Sequence, residues 1–440
     1  MVVAMSKWTR GTRAPVTSEL DVTDMIVDGT IPDLSGRLVR LGPNPIGPVP
    51  DDHHWFAGSG MAHAIDLDRG HPTRYQNRWV RTPEVSERLG EPAAVGHSEH
   101  HELANTTAMV VAGELLAMTE TCPPFALGRD LETIRRVDFG AGVEHFTAHP
   151  HVDPVTGDTF GVGYQLNEEP SCMLHRIGPD GRQRSAHTIE LLSSRSVHDF
   201  AFTERWIVIW DLPLDVTASP SGSFAARWNN DGGARVGVID RASLAGDAVD
   251  AAPTWFEIDP CWVFHPVNAY DTPTGVVIDV CQFDKVFAHD VTGPGDPYPP
   301  QLWRWELDLG GTAVTRTLID ERVQEFPRID QRRWSSRHRY GYTTELMSGN
   351  GAPSILAHDL EAGTADSWTS EVGHSLSEAI FVPDTHDSDE NEGWLLAVDS
   401  TAEWSDLVVL DATSVSDGPV GRVRLPQRIP DGFHGDWIPA

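Results

Sequence analysis

Four histidines in separate parts of the chain stand beside apolar or small residues, near the start of strand-like runs. They are His149 in EHFTAHPHVDP, His198 in SVHDFAFTERWIVIWDLPL, His265 in WFEIDPCWVFHPVNAYD and His434 in DGFHGDWIP. A single buried histidine usually satisfies its ring nitrogens with a nearby carbonyl and needs no metal. Four on different structural units would have another use if the fold brought them together, because imidazole binds iron, copper, nickel and zinc. The types of residue alone do not choose among these metals.

The elements that carry these histidines read as short β-strands. Runs rich in Val, Ile, Trp and Thr alternate with turns of Gly, Pro and Asp, and strong helical periodicity is scarce. Five stretches share one plan of strand, turn and strand. They begin at Met61, Cys172, Arg235, Leu302 and Leu407.

The starts of these five stretches are separated by 111, 63, 67 and 105 residues. Such spacing indicates one unit of about 60 residues with two members skipped, and hence about seven units in 440 residues. Repeated four-stranded units of this size predict an all-β, seven-bladed β-propeller, whose inner strands converge on one axis. A pair of β-sandwiches is the structural alternative. No boundary divides the chain, so we expect residues 1–440 to form a single domain.

Six segments resemble the signature blocks of the carotenoid cleavage oxygenase family, in the same order along nearly the whole chain. They are GRLVRLGPNP (36–45), HHWFAGSGMAHA (53–64), TAHPHVDPVTG (147–157), HDFAFTERWIVIWDLPL (198–214), WFEIDPCWVFHPVNAYD (255–271) and GFHGDWIP (432–439). The resemblance implies a seven-bladed propeller, with loops and short helices forming a cap over its top face. It also implies a non-haem Fe(II) ion on His149, His198, His265 and His434.

The same resemblance implies an outer shell of three glutamates that hydrogen-bond the ligating imidazoles. The matching positions are Glu120 in LLAMTETCPP, Glu325 in VQEFPRID and Glu378 in LSEAIFVP. Such a carboxylate fixes the tautomer and orientation of a ligating histidine and raises its basicity. Without the resemblance, each glutamate would read as an ordinary exposed strand residue.

The activity implied by the resemblance is that of a non-haem iron dioxygenase, which cleaves a conjugated carbon–carbon double bond with O2 into two carbonyl products. Four neutral imidazoles leave coordination positions open for O2. The partners would be O2 and an apolar conjugated small molecule, held in an apolar tunnel. Stilbene-cleaving members of the family carry a lysine just before the first outer-shell glutamate, where this chain has Thr119. That difference favours a carotenoid or apocarotenoid over a 4-hydroxystilbene, with a stilbene or other phenylpropanoid aryl alkene as the alternative.

Charge and composition exclude several other classes of partner. The net charge of −32 disfavours binding to nucleic acid or to anionic membranes. There is no signal-peptide pattern and no apolar run of membrane-spanning length, which predicts a cytoplasmic protein. The segment 83–103, an apolar docking patch in membrane-bound relatives, is polar here, so even peripheral membrane contact is doubtful. The four cysteines show no CxxC spacing and are expected to be reduced and buried.

Three rival functions remain open at this point. A propeller hydrolase or lactonase would use zinc or calcium to activate water, but calcium requires clustered oxygen ligands instead of imidazoles. A metal-free interaction propeller would have no use for four histidines and three glutamates in these blocks. An isomerase and hydrolase of retinyl esters, found in one branch of the family, acts on membranes, and the polar segment argues against it.

Overall fold

The strands form seven antiparallel sheets of four to six strands, arranged as the blades of a propeller. This computed structural model describes residues 6–96, 102–166, 169–192, 196–218, 224–244, 252–295, 297–346 and 351–440. The all-β, seven-bladed prediction is therefore confirmed. Part of the polar segment 83–103, residues 97–101, lies outside the described residues.

We number the blades from the N-terminal side. Blade 1 has five strands: Leu20–Val22, Gly36–Pro43, Gly60–Asp68, His71–Trp79 and Gly435–Pro439. Blade 2 has Thr107–Val111, Glu114–Met118, Phe125–Leu127 and Thr133–Arg136. Blade 3 has His151–Val152, Thr159–Tyr164, Ser171–Ile177 and Gln183–Glu190. Blade 4 has Ala201–Phe202, Trp206–Asp211, Ala234–Asp240 and Thr254–Ile258.

The remaining blades follow the same antiparallel plan. Blade 5 has Trp262–Asp271, Gly275–Phe283, Gln301–Asp308 and Val314–Asp320. Blade 6 has Gln324–Arg328, Tyr340–Glu345, Ser354–Asp359 and Thr364–Thr369. Blade 7 has Ile26–Gly29, Ser375–Leu376, Ile380–Pro383, Gly393–Ser400, Ser405–Asp411 and Pro419–Arg424.

Elements outside the blades are short. A hairpin of Leu214–Ala218 and Phe224–Trp228 is inserted in blade 4, and an α-helix covers Pro83–Leu89. In the described part of the chain, 3-10 turns cover Lys7–Thr9, Gly11–Arg13, Trp55–Ala57, Arg241–Leu244, Gln331–Arg333 and Val415–Asp417. Among the described residues, no helix has the length and apolar character needed to span a bilayer.

The predicted repeat corresponds to the blades. The stretches that begin at Met61, Cys172, Arg235, Leu302 and Leu407 lie in blades 1, 3, 4, 5 and 7. Blades 2 and 6 occupy the two long intervals, so both skipped members exist. The core lies between blades, where Trp210, Trp262 and Trp305 are among the largest fully buried side chains. All four cysteines are free and buried, as expected.

Both ends of the described chain close the ring. The strand Gly435–Pro439 pairs with Gly36–Pro43 in blade 1, while Ile26–Gly29 pairs with Pro419–Arg424 in blade 7. The backbone N–H of His434 donates to the carbonyl of Thr106 at 2.9 Å, and its carbonyl accepts from the N–H of Leu41 at 2.9 Å. His434 is thus fixed by backbone hydrogen bonds on both sides, although it stands close to the end of the chain.

Candidate metal centre

Each of the seven blades contributes one of the seven candidate residues. The histidines lie on blades 3, 4, 5 and 1, in the order His149, His198, His265 and His434. The glutamates lie on blades 2, 6 and 7, in the order Glu120, Glu325 and Glu378. Because the inner edges of the blades converge on the propeller axis, residues far apart in sequence meet there.

The four imidazoles converge. One ring nitrogen from each of His149, His265 and His434 lies within 4.8 Å of the other two. The Nε2 atoms of His198 and His265 are 3.2 Å apart. The ring of His149 lies 4.5 Å from that of His198, 4.9 Å from that of His265 and 4.8 Å from that of His434, measured between centroids. The structure therefore brings all four predicted histidines together.

Local irregularities in two inner strands direct side chains towards the axis. The strand Trp262–Asp271 changes register between Val263 and Pro266, the interval that contains His265. The strand Gln324–Arg328 changes register between Glu325 and Arg328, and Phe326 between them has a φ of 54°. Bulges re-aim a side chain at the cost of one ladder pairing. A left-handed conformation at a large residue is strained and persists only where the surroundings enforce it.

Three of the histidines face a glutamate with Nδ1, and two of them, His265 and His434, donate a hydrogen bond to it. Nδ1 of His265 is 2.7 Å from Oε2 of Glu325, and Nδ1 of His434 is 2.9 Å from Oε2 of Glu378. Nδ1 of His198 is in close contact with Oε1 of Glu120. In each pair the nitrogen beside the carboxylate is Nδ1, so Nε2 is left facing the centre. The structure places all three predicted glutamates where they can orient an imidazole.

Each glutamate has a further donor of its own. Glu378 accepts from the N–H of Gly435 at 2.7 Å, and the guanidinium of Arg328 lies 3.4 Å from its Oε2. Glu325 accepts from the N–H of Phe326. Glu120 accepts from the hydroxyl of Tyr164 at 2.6 Å, and the hydroxyl of Ser196 donates to Tyr164 at 3.2 Å.

Arg328 and Tyr164 were not found by sequence reasoning. Arg328 lies on blade 6 and Glu378 on blade 7, while Tyr164 lies on blade 3 and Glu120 on blade 2. No spacing in the sequence signals such contacts between blades. The one available clue is that Tyr164 ends the strand next to the one that follows His149.

His149 is arranged differently from the other three histidines. Its Nδ1 lies 4.0 Å from Oδ2 of Asp199, beyond hydrogen-bonding distance. Asp199 instead accepts from Nε2 of His151 at 2.8 Å and from the N–H of Phe200 at 2.7 Å. Nε2 of His149 is buried and has no hydrogen-bond partner among the described residues. An orphaned buried ring nitrogen is costly unless something outside the protein binds it.

Burial controls the protonation of the cluster. It lowers the pKa of His149 well below its ordinary value, and the neighbouring imidazoles lower it further. Burial also lowers the pKa of His434 to about 4, against the opposing effect of Glu378. Burial disfavours charged His265 as well, but the charge and hydrogen bond of Glu325 outweigh it and raise that pKa. Burial would raise the pKa of Glu378, but Arg328 and His434 hold it at about 2.

These residues fit a metal ion. His149 offers an unpartnered Nε2, and the other three histidines turn Nε2 inward because Nδ1 is held by a carboxylate. The 3.2 Å between Nε2 of His198 and Nε2 of His265 is short enough for both nitrogens to bind one ion at the usual distance of about 2.1 Å. Neutral imidazoles with carboxylates behind them are the usual donor set for a transition metal.

A cavity of about 800 Å³ is lined by His198, His265 and His434. One side, which we call the apolar wall, comes from blades 4 and 5 and their loops. It consists of Leu214, Val216, Trp262, Phe264, Phe283 and Phe287. The loop residues Trp55 and Phe56 and the segment 297–300 also line the cavity, in agreement with the predicted cap. We call the other side the polar wall. It comes from the N-terminal segment and blades 1 and 7, and consists of Thr12, Arg13, Arg40, Ser375 and Asp431.

Thr119 lines the same cavity, as its position before Glu120 predicts. Its hydroxyl donates to Oδ1 of Asn105 at 3.1 Å and lies 3.1 Å from the hydroxyl of Thr106. The hydroxyl of Thr119 is therefore already hydrogen-bonded within the protein, and only 8% of the residue is exposed.

Known proteins resemble this chain along its whole length. The family model described as retinal pigment epithelial membrane protein matches residues 13–439. A carotenoid cleavage oxygenase of Mycobacterium tuberculosis is 33% identical, over 99% of this chain and 98% of that protein. An isoeugenol monooxygenase of Pseudomonas nitroreducens is 30% identical, over 98% of this chain and 97% of that protein.

Solved structures agree on the fold. The lignostilbene dioxygenase of Pseudomonas brassicacearum superposes with a TM-score of 0.88 at 24% identity, over 100% of both chains. The cobalt-substituted Synechocystis ACO superposes with a TM-score of 0.84 at 25% identity, over 97% of both chains.

With these matches beside the convergent histidines, the class of protein is that of the β-propeller oxygenases. The chain belongs to the retinal pigment epithelial membrane protein family, which includes the carotenoid cleavage oxygenases. The resemblance drawn from six sequence blocks is thereby confirmed.

Proposed function

We propose that this protein is a non-haem Fe(II) dioxygenase that uses O2 to cleave a conjugated carbon–carbon double bond in a carotenoid-like or apocarotenoid-like substrate, giving carbonyl products. The observation that carries this proposal is the convergence of four imidazoles beneath an apolar wall. His149, His198, His265 and His434 would hold the iron, and Glu120, Glu325 and Glu378 would orient three of them.

Iron bound there would supply the O2 chemistry. The tasks of the chain are to orient the ligands, bind the alkene and exclude water. Phe264 is central to the last two tasks, because its ring lies 4.9 Å from His198 and 5.4 Å from Phe283. Phe56 packs edge-on against Phe264 and Phe287 at 6.3 and 6.2 Å. A flat conjugated chain that enters between these rings displaces water and gains contact area without needing a polar partner.

A second candidate substrate class is aryl alkenes such as phenylpropanoids, cleaved by the same chemistry. The 30% identity to an isoeugenol monooxygenase favours it. Thr119 weighs against a substrate whose phenol would need a free donor at that position, because its hydroxyl is already bound to Asn105. Assays should therefore include both apocarotenoids and aryl alkenes.

The test is metal content joined to turnover. Protein purified without O2 should hold one iron per chain, and His434→Ala and His265→Ala should each lose the metal and all alkene cleavage while keeping the β-sheet circular dichroism spectrum. His358→Ala is the control, because it also removes a buried imidazole, but one that bonds Gln324 and Thr343 outside the cluster. It should keep the iron.

Retention of full iron by His434→Ala would contradict the proposed ligand set. Zinc in place of iron would favour a hydrolase. Full iron without O2 uptake or carbonyl products, across both substrate classes, would favour a degenerate propeller that acts as an interaction scaffold.

A further inference from the structure

Arg40 is a buried cation without a direct counter-ion. It lies on the strand Gly36–Pro43, only 4% of the residue is exposed, and it lines the cavity that contains the histidines. Its Nη2 donates to the carbonyl of Phe433 at a long 3.4 Å. Its Nε and Nη1 are buried with no hydrogen-bond partner among the described residues. A guanidinium in this state is costly, because several N–H groups have lost water and gained nothing in return.

The nearby carboxylates are already engaged. Asp431 accepts from the hydroxyl of Thr12 at 2.7 Å and from that of Ser375 at 2.5 Å. Glu378 is bound by His434, Gly435 and Arg328. Within the described residues, no carboxylate comes within ion-pair distance of Arg40. The donors of Arg40 are thus left for a group from outside the chain.

The surroundings of Arg40 carry excess positive charge. Asp431 faces three guanidiniums, those of Arg13 at 3.5 Å, Arg40 and Arg428. Arg328 and Glu378 balance each other. This excess is notable in a protein whose net charge is −32, because most of its surface repels anions. The polar wall is therefore a local site where a negative charge is stabilised.

We propose that the polar wall binds a carboxylate, with Arg40 as its main donor, and that the substrate is a conjugated alkene that carries this carboxylate at one end. The alkene part of this inference rests on the proposed function, whereas the carboxylate site rests on the residues of the polar wall alone. Blades 1 and 7 lie across the ring from blades 4 and 5. A molecule anchored at Arg40 would pass the histidines and place its apolar part against the apolar wall.

A carboxylate fits this wall better than a hydroxyl or an amine. A guanidinium presents parallel N–H donors that match two carboxylate oxygens, and such charge-assisted bonds are about twice as strong as neutral ones. A hydroxyl would satisfy one donor and leave the charge uncompensated. An amine would add a further cation to a positive site.

The test is ligand binding without turnover. Decanoate and decan-1-ol have the same tail and differ in the head group, and neither contains an alkene. Calorimetry on Co(II)-loaded protein should show decanoate binding at least tenfold tighter than decanol. Arg40→Met should reduce that ratio to about twofold or less, while Arg40→Lys should retain part of it. Lys285→Met is the matched control, because Lys285 is a cation that lines the same cavity but bonds Asn230. It should leave the ratio unchanged.

The visible spectrum of the bound Co(II) distinguishes a decanoate carboxylate bound at Arg40 from one bound to the metal. Carboxylate binding at Arg40 leaves that spectrum unchanged. Equal binding of the two ligands to the original protein would overturn the proposal without any need for a variant. So would an undiminished preference in folded Arg40→Met, or a preference accompanied by a shifted cobalt spectrum, which would place the carboxylate on the metal. If the original protein prefers decanoate but the iron-loaded protein cleaves no alkene, the proposed function is refuted and the carboxylate site is still supported.

Discussion

His265 and His149 show two ways of holding an imidazole at one centre. His265 donates to Glu325, which is itself fixed by the N–H of Phe326. His149 has no carboxylate within hydrogen-bonding distance and is held by its short, buried connection to the inner strand of blade 3. The first arrangement sets tautomer, direction and basicity through a charged partner, whereas the second sets direction through packing. Nε2 of His149 should therefore be less basic than Nε2 of His265, and a metal ion should bind it less tightly.

The largest change in metal affinity is expected from Glu325→Gln. The variant keeps the side-chain volume but removes the charge behind His265, so metal affinity should fall about ten- to hundredfold. Competition with a chelator would measure it. Glu306→Gln, on an exposed position of blade 5, is the control and should have no effect. Unchanged affinity in Glu325→Gln would mean that packing alone also holds His265.

A smaller effect is expected from Tyr164→Phe. It removes the hydroxyl that donates to Glu120 at 2.6 Å, and a hydrogen bond to a charged group contributes about 1.5 to 3 kcal/mol. Part of that loss should reach the metal through His198 as a severalfold fall in affinity. Tyr342→Phe removes another buried hydroxyl, which donates to Asn391 at 2.8 Å. If both variants lower thermal stability and both keep the metal equally well, Tyr164 has no positioning role.

The smallest effect is expected from Asp199→Asn. The amide oxygen can still accept from His151 and Phe200, and His149 makes no hydrogen bond to this side chain. Metal affinity should therefore change by less than about threefold, compared in one titration with Glu325→Gln. A fall as large as that of Glu325→Gln would contradict this prediction, because it would show that His149 also depends on a carboxylate.

The blades that the sequence revealed are those with strong alternation and clear turn chemistry, because both signals are local. The sequence pattern did not reveal blade 2, because its strand Phe125–Leu127 has only three residues. The sequence pattern did not reveal blade 6, because its outer strand Thr364–Thr369, TADSWT, is largely polar. In both cases packing between neighbouring blades completes a sheet that the local pattern leaves weak.

The candidate site was predictable to a different extent. The four histidines and three glutamates followed from a resemblance between motifs, and the structure brings all seven to the axis. Arg328, Tyr164 and Asp199 did not follow, because each contacts a residue of another blade. Arg40 did not follow, because its burial in the cavity wall has no local sequence signal. Glu120 and Tyr164 are 44 residues apart, and their contact exists only after blades 2 and 3 have packed.

Because each blade contributes one of the seven candidate residues, their order in the chain determines when the histidine cluster can form during synthesis. His434 follows the other six residues in the chain, so a ribosome that has made blades 2 to 6 has produced an incomplete set of ligands. A nascent chain at that stage carries only three of the four clustered histidines, His149, His198 and His265. The ring of blades is still open to water. Ring closure and completion of the ligand set are the same event. A metal ion held by all four histidines would therefore be bound only after the walls that enclose it have formed.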